Sequence, residues 1–325
     1  MNPIMSIIIP NFNGLEHLRI CLPSLRNQTF KNFEIILMDN GSTDESIDYV
    51  ATQFPEIRVL RLSKNFGFPK AINFGIKKSQ GKYILILNND TEIDKDCIKY
   101  LVDSAKIHRE CGFISAKILN FNNRNIVDNA GDYMDSSGHL LTRGIGQNEN
   151  LYTKGEYIFL GTGSGTLFKR EVFKKIGLFD EDFFFYMEDA DFCFRAQLAG
   201  FKGWFEPKAI IYHKRMGTSK KYIKNYESLV FRNMTMTLIK NFPRSLLLLN
   251  FNWLKIILVH INTLKYLILK GFFLDGLKVE LFLLANFVQL LKKRKKVQAL
   301  KVVSDNYINS QIKDKKFMVG KLLFL

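Results

Sequence analysis

Cysteine is scarce in this 325-residue chain, and the scarcity excludes two classes of protein at once. Cys21, Cys97, Cys111 and Cys193 stand far apart in no paired metal-ligand spacing, so neither a disulfide framework nor a zinc module is expected. Reduced thiols in a cytosolic domain are the expectation, with Cys97 and Cys193 inside helices. Glycine and proline are also few, 21 and 7 residues, which leaves no room for a long disordered linker. No basic segment leads into a cleavable apolar run: Met5–Pro10 is too short for a leader and reads as a strand, so export by that route is not expected. No apolar run approaches the ~20 residues needed to cross a bilayer. The glycine series Gly161-Thr162-Gly163-Ser164-Gly165 is not followed by Lys-Ser/Thr, so a nucleotide-binding P-loop is excluded. Tyr157–Phe168 reads instead as a glycine-bearing strand approached by another backbone or a sugar.

What is present describes a globular chain. Hydrophobic residues make up 47% and charged residues 24%, enough for one large domain with an appendage or for two domains. The net charge of +16 is uneven: residues 241–325 carry 15 Lys/Arg against 4 Asp/Glu. The expected division is therefore 1–240, an α/β domain, and 241–325, a basic, apolar helical region.

Residues 5–90 alternate apolar runs with helical patterns. Strands are expected near Met5–Ile9, Glu34–Met38, Ile57–Leu62 and Lys82–Leu87, with helices near Leu15–Gln28, Asp44–Gln53 and Pro69–Lys78. That order predicts a mostly parallel sheet flanked by helices and joined by right-handed crossovers. Ser42 is expected to cap the second helix through the amide of Glu45, and Pro69 to open the third. Farther on, a helix over Asp94–Ile107, a strand over Gly112–Leu119 and a loop-rich insertion over 120–156 are expected. The strand ends Pro10-Asn11, Asp39-Asn40-Gly41, Asn65-Phe66-Gly67 and Asn88-Asn89-Asp90 then fall on one sheet edge, where open α/β sheets bind ligands.

Two acidic stretches carry the chemistry. Asp90 ends a buried strand; it is either a polar residue leaving the core or a hard oxygen ligand for Mg²⁺ or Mn²⁺ bound with a diphosphate. Glu188 and Asp189 follow the aromatic run Phe183–Tyr186 and open a helix. Stabilisation of the helix dipole explains them structurally, while partial desolvation would suit a general base. Asp191 and Arg195, four apart, are expected to pair on the helix surface. His213, after Ala209–Tyr212, is either a packed residue or a neutral imidazole completing a metal site with Asp90.

In this order these segments resemble glycosyltransferase family 2, the inverting GT-A enzymes, and in particular their bacterial rhamnosyltransferase-like branch. The likeness covers about residues 4–240. It rests on Ile8-Ile9-Pro10-Asn11-Phe12-Asn13, Met38-Asp39-Asn40-Gly41-Ser42-Thr43-Asp44, Asn65-Phe66-Gly67-Phe68 and Leu87-Asn88-Asn89-Asp90-Thr91-Glu92. It continues through Gly177–Glu181, Tyr186–Asp191 with Arg195, and His213 before Gly217 and Ser219. The resemblance implies a GT-A, Rossmann-like fold and a nucleotide-sugar donor, with dTDP-rhamnose first and a UDP-sugar second. It implies that Pro10, Asn11 and Asp39 border the nucleotide, that Asn65, Gly67, Asn88 and Asn89 line the donor pocket, and that Asp90 and His213 hold a divalent metal. Asp189 matches the base, with Glu188 beside it. The chain departs from the family's Asp-x-Asp signature at Asn88, which leaves one fewer anionic ligand. Two other classes remain in view: sugar-nucleotide synthesis by nucleotidyl transfer, and a non-catalytic glycan-binding scaffold.

In the tail, Ser245–Leu291 is rich in Leu, Ile, Phe and Val, interrupted by isolated charges, and its longest charge-free stretch is Leu281–Leu291. Lys292-Lys293-Arg294-Lys295-Lys296 follows. Apolar helices beside a basic cluster predict a peripheral anchor on the inner face of the cell membrane through 245–296, which also suits a lipid-linked glycan acceptor. The alternative is helices packed on the catalytic domain or against a second copy of the chain. Nucleic acid is not an expected partner, because no recognition module is present.

Overall fold

Strand and helix alternate from the start: β1 (Met5–Asn11), α1 (Leu15–Arg26), β2 (Phe33–Asp39), α2 (Ser46–Gln53), β3 (Arg58–Arg61), α3 (Phe68–Lys78) and β4 (Tyr83–Leu87). The computed structural model describes residues 2–214, 226–248 and 252–313. β1 pairs parallel with β2 and β4, and β2 pairs parallel with β3. All four carboxyl ends therefore meet at one edge, as the alternation predicts. Every residue of β4 is buried, which is why it reads as an unbroken Tyr-Ile-Leu-Ile-Leu run rather than an alternating one. The two faces of the sheet hold separate cores. Ile8, Ile36, Ile84 and Ile86 point into one, while Ile7, Ile9, Leu37, Leu85 and Leu87 point into the other with Leu18, Cys21, Leu22 and Leu25 of α1.

The next segment is β5 (Thr91–Ile93), α4 (Cys97–Ile107) and β6 (Cys111–Asn120), followed by the insertion with β7 (Val127–Asn129), β8 (Asp132–Met134) and β9 (Leu140–Thr142). Then come β10 (Glu156–Ile158), β11 (Gly165–Lys169), α5 (Arg170–Ile176), α6 (Glu188–Leu198) and β12 (Lys202–His213). The large sheet runs β10-β12-β6-β11-β4-β1-β2-β3. It is mostly parallel, with β11 inserted antiparallel between β4 and β6.

Three local expectations are corrected. Tyr157–Phe168 is not one strand: β10 pairs with β12 whereas β11 pairs with β4 and β6, so the chain must cross between them. It does so through Gly161–Ser164, in a turn held by Thr166 Oγ1 donating to the Thr162 carbonyl at 2.7 Å. Ser42 does not cap α2. Its hydroxyl accepts from the Asn13 amide at 2.9 Å, and Asp44 Oδ1 takes the Ser46 amide at 3.2 Å instead. Asp191 and Arg195 do pair, at 2.9 Å, but both are buried rather than on a helix surface. All four cysteines are free and buried.

The tail continues as α7 (Tyr226–Asn241), α8 (Arg244–Leu248), α9 (Asn252–Leu269), α10 (Phe273–Ala285), α11 (Phe287–Ala299) and α12 (Asp305–Gln311). Among the described residues no helix is long and apolar enough to cross a membrane. Residue 240 falls in the last turn of α7. Phe231, Leu238, Phe242, Leu290 and Ile308 join the same apolar core as Ile8 and Phe168. The basic cluster is divided in its use. Lys293 pairs with Asp180 and Asp182, and Arg294 donates to the Ile239 and Phe242 carbonyls at 2.7 and 2.8 Å, while Lys292, Lys295 and Lys296 are exposed.

Candidate active site

The strand ends form the floor of a cavity of about 490 Å³. Pro10, Asn11, Asn65, Gly67, Asn88, Asn89, Asp90, Glu188, Asp189 and His213 all line it. Several of these amides also brace the floor. Asn89 Nδ2 donates to Asn11 Oδ1 at 2.7 Å, and Asn11 Nδ2 donates to Ser46 Oγ at 3.0 Å. Asn40 links the next two loops, donating to Asn65 Oδ1 at 3.0 Å and accepting from the Phe66 amide at 3.0 Å. Gly67 has φ of +87°, and a Cβ there would meet the Phe184 carbonyl oxygen at 2.5 Å, so glycine is required where the floor touches the aromatic loop. Asp39 is not among the lining residues. It is fully buried at the end of β2, where Oδ1 accepts from the Ser42 amide at 3.0 Å and Oδ2 lies 3.4 Å from Arg61 Nε.

Asp90 and His213, remote in sequence, meet because β12 pairs antiparallel with β5, His213 opposite Thr91. His213 Nε2 lies 3.2 Å from Asp90 Oδ1, an oxygen on which no hydrogen-bond donor is well aligned. Burial is the largest influence and works to raise the Asp90 carboxyl, but His213, His17 and a backbone hydrogen bond together hold the group below the usual aspartate range. A buried carboxylate oxygen facing an imidazole is a donor set that fits a divalent cation. Among the described residues no cluster of three or more His, Cys, Asp or Glu could hold a metal ion by itself. A cation here needs ligands from elsewhere, of the kind a diphosphate would supply. Behind the imidazole, Asp128 Oδ2 lies 3.8 Å from His213 Nδ1.

Glu188 and Asp189 open α6 from across the cavity. Asp189 Oδ2 accepts from the Gly163 amide at 2.8 Å, so the turn between β10 and β11 orients the carboxylate. Burial raises the Asp189 carboxyl, and its backbone hydrogen bonds oppose the rise. Glu188 is buried with Oε2 unpartnered; burial, then the charge of Asp189, pushes it well above the usual range. Both carboxyls are raised, but only the half-buried Asp189 holds two amide donors, from Gly163 and Ala190, that work against the rise.

More than half of the chain, residues 6–177, matches the family model for glycosyl transferase family 2. The chain belongs to that family. Among its relatives, uncharacterized glycosyltransferase RP339 of Rickettsia prowazekii is 30% identical over 60% of this chain and 58% of its own length. An N-acetylglucosaminyl-diphospho-decaprenol L-rhamnosyltransferase of Mycobacterium tuberculosis is 25% identical over 68% of this chain and 79% of its own length. The chain spans between 24% and 58% of the first curated relatives it matches. The fold is also that of solved structures. GalNAc-T7 with UDP, GalNAc and Mn²⁺ aligns at TM-score 0.60 and 18% identity over 75% of this chain and 49% of that one. A mannosyltransferase from Pyrobaculum calidifontis with GDP-Man and Mn²⁺ aligns at TM-score 0.52 and 14% identity over 92% and 86%.

Sequence reasoning about this family 2 chain missed Asp128, Asn129 and Asp132 of the insertion, which line the cavity together with Thr162–Ser164 of the glycine-bearing stretch expected to be approached by a sugar or another backbone. The Asn and Asp content of 120–156 was a signal, but nothing in a loop-rich stretch says which residues turn inward. Gly217 and Ser219, part of the family resemblance, lie outside the described residues.

Proposed function

We propose that this protein is an inverting glycosyltransferase that moves a sugar from a nucleoside diphosphate to a hydroxyl of a lipid-linked or cell-surface glycan. The observation that carries the reading is that Asp189 and the Asp90–His213 pair lie on one cavity of about 490 Å³, within the size range of small-molecule sites. In the reaction Asp189 takes the proton of the acceptor hydroxyl as its oxygen bonds to the anomeric carbon. The carbon–oxygen bond to the diphosphate breaks on the opposite face, and the diphosphate leaves with the electron pair. General-base help of this kind is worth ~10²–10⁴ in rate. Asp90 and His213 would hold Mg²⁺ or Mn²⁺, which neutralises charge on the departing diphosphate. The remaining residues act by position: Asn65, Gly67, Asn88 and Asn89 line the donor side, Pro10 and Asn11 its floor, and Asp39 braces that floor from beneath.

The donor we favour is dTDP-rhamnose, on the likeness to the mycobacterial rhamnosyltransferase, with UDP-galactofuranose, UDP-galactose and UDP-N-acetylglucosamine as the alternatives. A melting panel of these nucleotide sugars with Mn²⁺, Mg²⁺ or chelator tests the site, since ligand at 100-fold over Kd adds about 2.7 kcal/mol to stability. The expected result is a rise with one donor that needs metal and is lost in His213→Ala. A full rise in chelator removes the metal from the reading, and no rise with any donor removes the donor site.

We further propose that the protein works at the inner face of the cell membrane, docked by its tail. α9 exposes Trp253, Leu254, Ile257, Leu258 and Ile261 at helical spacing, and α10 exposes Phe273, Leu274, Leu277, Leu281 and Leu284. Exposed Lys265, Lys270, Lys292, Lys295 and Lys296 flank them and complement an anionic lipid surface, at ~1 kcal/mol per basic residue near the surface. The protein is expected to float with vesicles containing anionic phosphatidylglycerol and to stay behind with neutral vesicles or in high salt. A stable dimer with no lipid preference would instead make this face a contact between copies.

A further inference from the structure

The carboxylates at the start of α6 depend on a loop whose backbone is held in an unusual state. Phe184, Tyr186 and Met187 have φ of 60°, 69° and 68°, the left-handed region that bulky side chains rarely enter. Such a loop stays in place only where its surroundings over-determine it. From the floor, the Phe68 amide donates to the Phe184 carbonyl at 2.7 Å. From the tail, the wholly buried Asn233 of α7 supplies the rest: its Nδ2 donates to the Phe183, Phe185 and Tyr186 carbonyls at 2.9, 2.8 and 2.8 Å. Four consecutive carbonyls are thereby fixed just ahead of Glu188. The amide cannot turn over to present its oxygen, because Arg232 Nε donates to Asn233 Oδ1 at 3.0 Å. A nitrogen of the same guanidinium donates to the Asp182 and Phe183 carbonyls at 2.9 and 3.0 Å. Beyond the loop, Asn241 Nδ2 holds Asp191 Oδ1 at 3.0 Å, so α7 grips both sides of Asp189.

We propose that Asn233 is a positioning residue for sugar transfer: it holds the left-handed loop that aims Asp189 at the acceptor hydroxyl. The inference rests on Asp189 being the base. It touches neither donor nor metal in that reading, because Asn233 lies behind the loop and not along the cavity. Two donor hydrogens shared among three carbonyls leave no substitute in the cage, since every other side chain of the twenty lacks that number of donors at that length without a charge.

The test uses the full-length protein with Asn233→Leu, which keeps the branched outline in a bulkier form and removes both donors, and Asn233→Ser, which keeps one. Transfer is followed with the dTDP- and UDP-sugars of the melting panel, and UDP and dTDP binding with Mn²⁺ by calorimetry. A base moved by about 1 Å costs up to ~10² in rate, so kcat is expected to fall roughly 10–10²-fold in the Leu variant and less in Ser. Nucleotide affinity and donor KM stay within about threefold, and hydrogen exchange of the segment 183–191 speeds up while that of β1 and β4 does not. The rate follows donor number rather than melting temperature, which a purely structural role would not produce. An unchanged kcat in Asn233→Leu, or nucleotide binding lost in step with kcat, overturns the proposal. Full activity in Asp189→Asn overturns the base assignment and this inference with it, whereas an inactive Asp189→Asn beside a normal Asn233→Leu removes the positioning role alone.

Discussion

Asp189→Asn is expected to lower sugar transfer by ~10²–10⁴, the usual worth of a positioned general base, while nucleoside diphosphate and metal still bind. The asparagine keeps the shape and can still accept from the Gly163 amide, so the loop between β10 and β11 has no reason to move. It cannot take a proton. The wild-type pH profile supplies the second half of the test. Burial raises the Asp189 carboxyl, and the base works only when ionised, so the rate falls on the acid side at a pH above the ordinary aspartate range. Glu188 is not expected to rescue the reaction, because burial, the largest cause, raises its carboxyl well above the usual range and disfavours the ionised form a base needs. Steady-state kinetics of the variant, with calorimetry for the nucleotide, decide the matter. If binding is lost together with turnover, the residue is structural.

Lys240→Met is expected to cost about 3 kcal/mol of stability, the lower end for breaking a buried ion pair, because it strips the cation from two acids inside the core. Lys240 pairs with Asp180 and, at 2.8 Å, with Asp191, and both Lys240 and Asp191 are buried. Arg195 and Lys293 still compensate part of the charge, which keeps the loss at the lower end. In the wild type, burial alone would raise the two carboxyls, but Lys240 and its basic neighbours hold Asp180 well below the usual range and Asp191 below it. Groups with lowered folded values contribute stability that is present above their unfolded pKa and disappears as pH falls through the folded one. The wild type therefore keeps this contribution through mildly acid pH and loses it only in strong acid. Lys240→Met starts without most of it, so the two melting temperatures converge on acidification. A variant that melts like the wild type at neutral pH would show that the network adds nothing to the fold.

Much of the catalytic half was legible before any coordinates. The helix and strand pattern over 5–90 reads directly, since β4 and α1 obey their own periodicities, and Asn11, Asn65, Asn88, Asn89 and Asp90 meet at one edge by topology alone. The limits were physical as well. Asp39 marked a strand end correctly, and only the packing shows that its carboxylate takes the Ser42 amide and lies beside Arg61. Ser42 had the right chemistry for a cap and found a nearer donor in Asn13. The basic cluster looked uniform in sequence, yet Lys293 and Arg294 turn inward to clasp Asp180 and the end of α7, leaving Lys292, Lys295 and Lys296 exposed.

By itself the sequence determined the alternation of strand and helix over 5–90, the parallel sheet that follows from it, and which carboxylates stand at strand or helix ends. Those features follow from local periodicity. Only the tertiary structure decided which groups meet. His213 reaches Asp90 through the β5–β12 register, Asp189 is aimed by Gly163, and the loop before it is held by Asn233 from a helix that looked like part of a tail. Long-range pairing of this kind depends on how distant segments pack, and no local pattern in the chain encodes it.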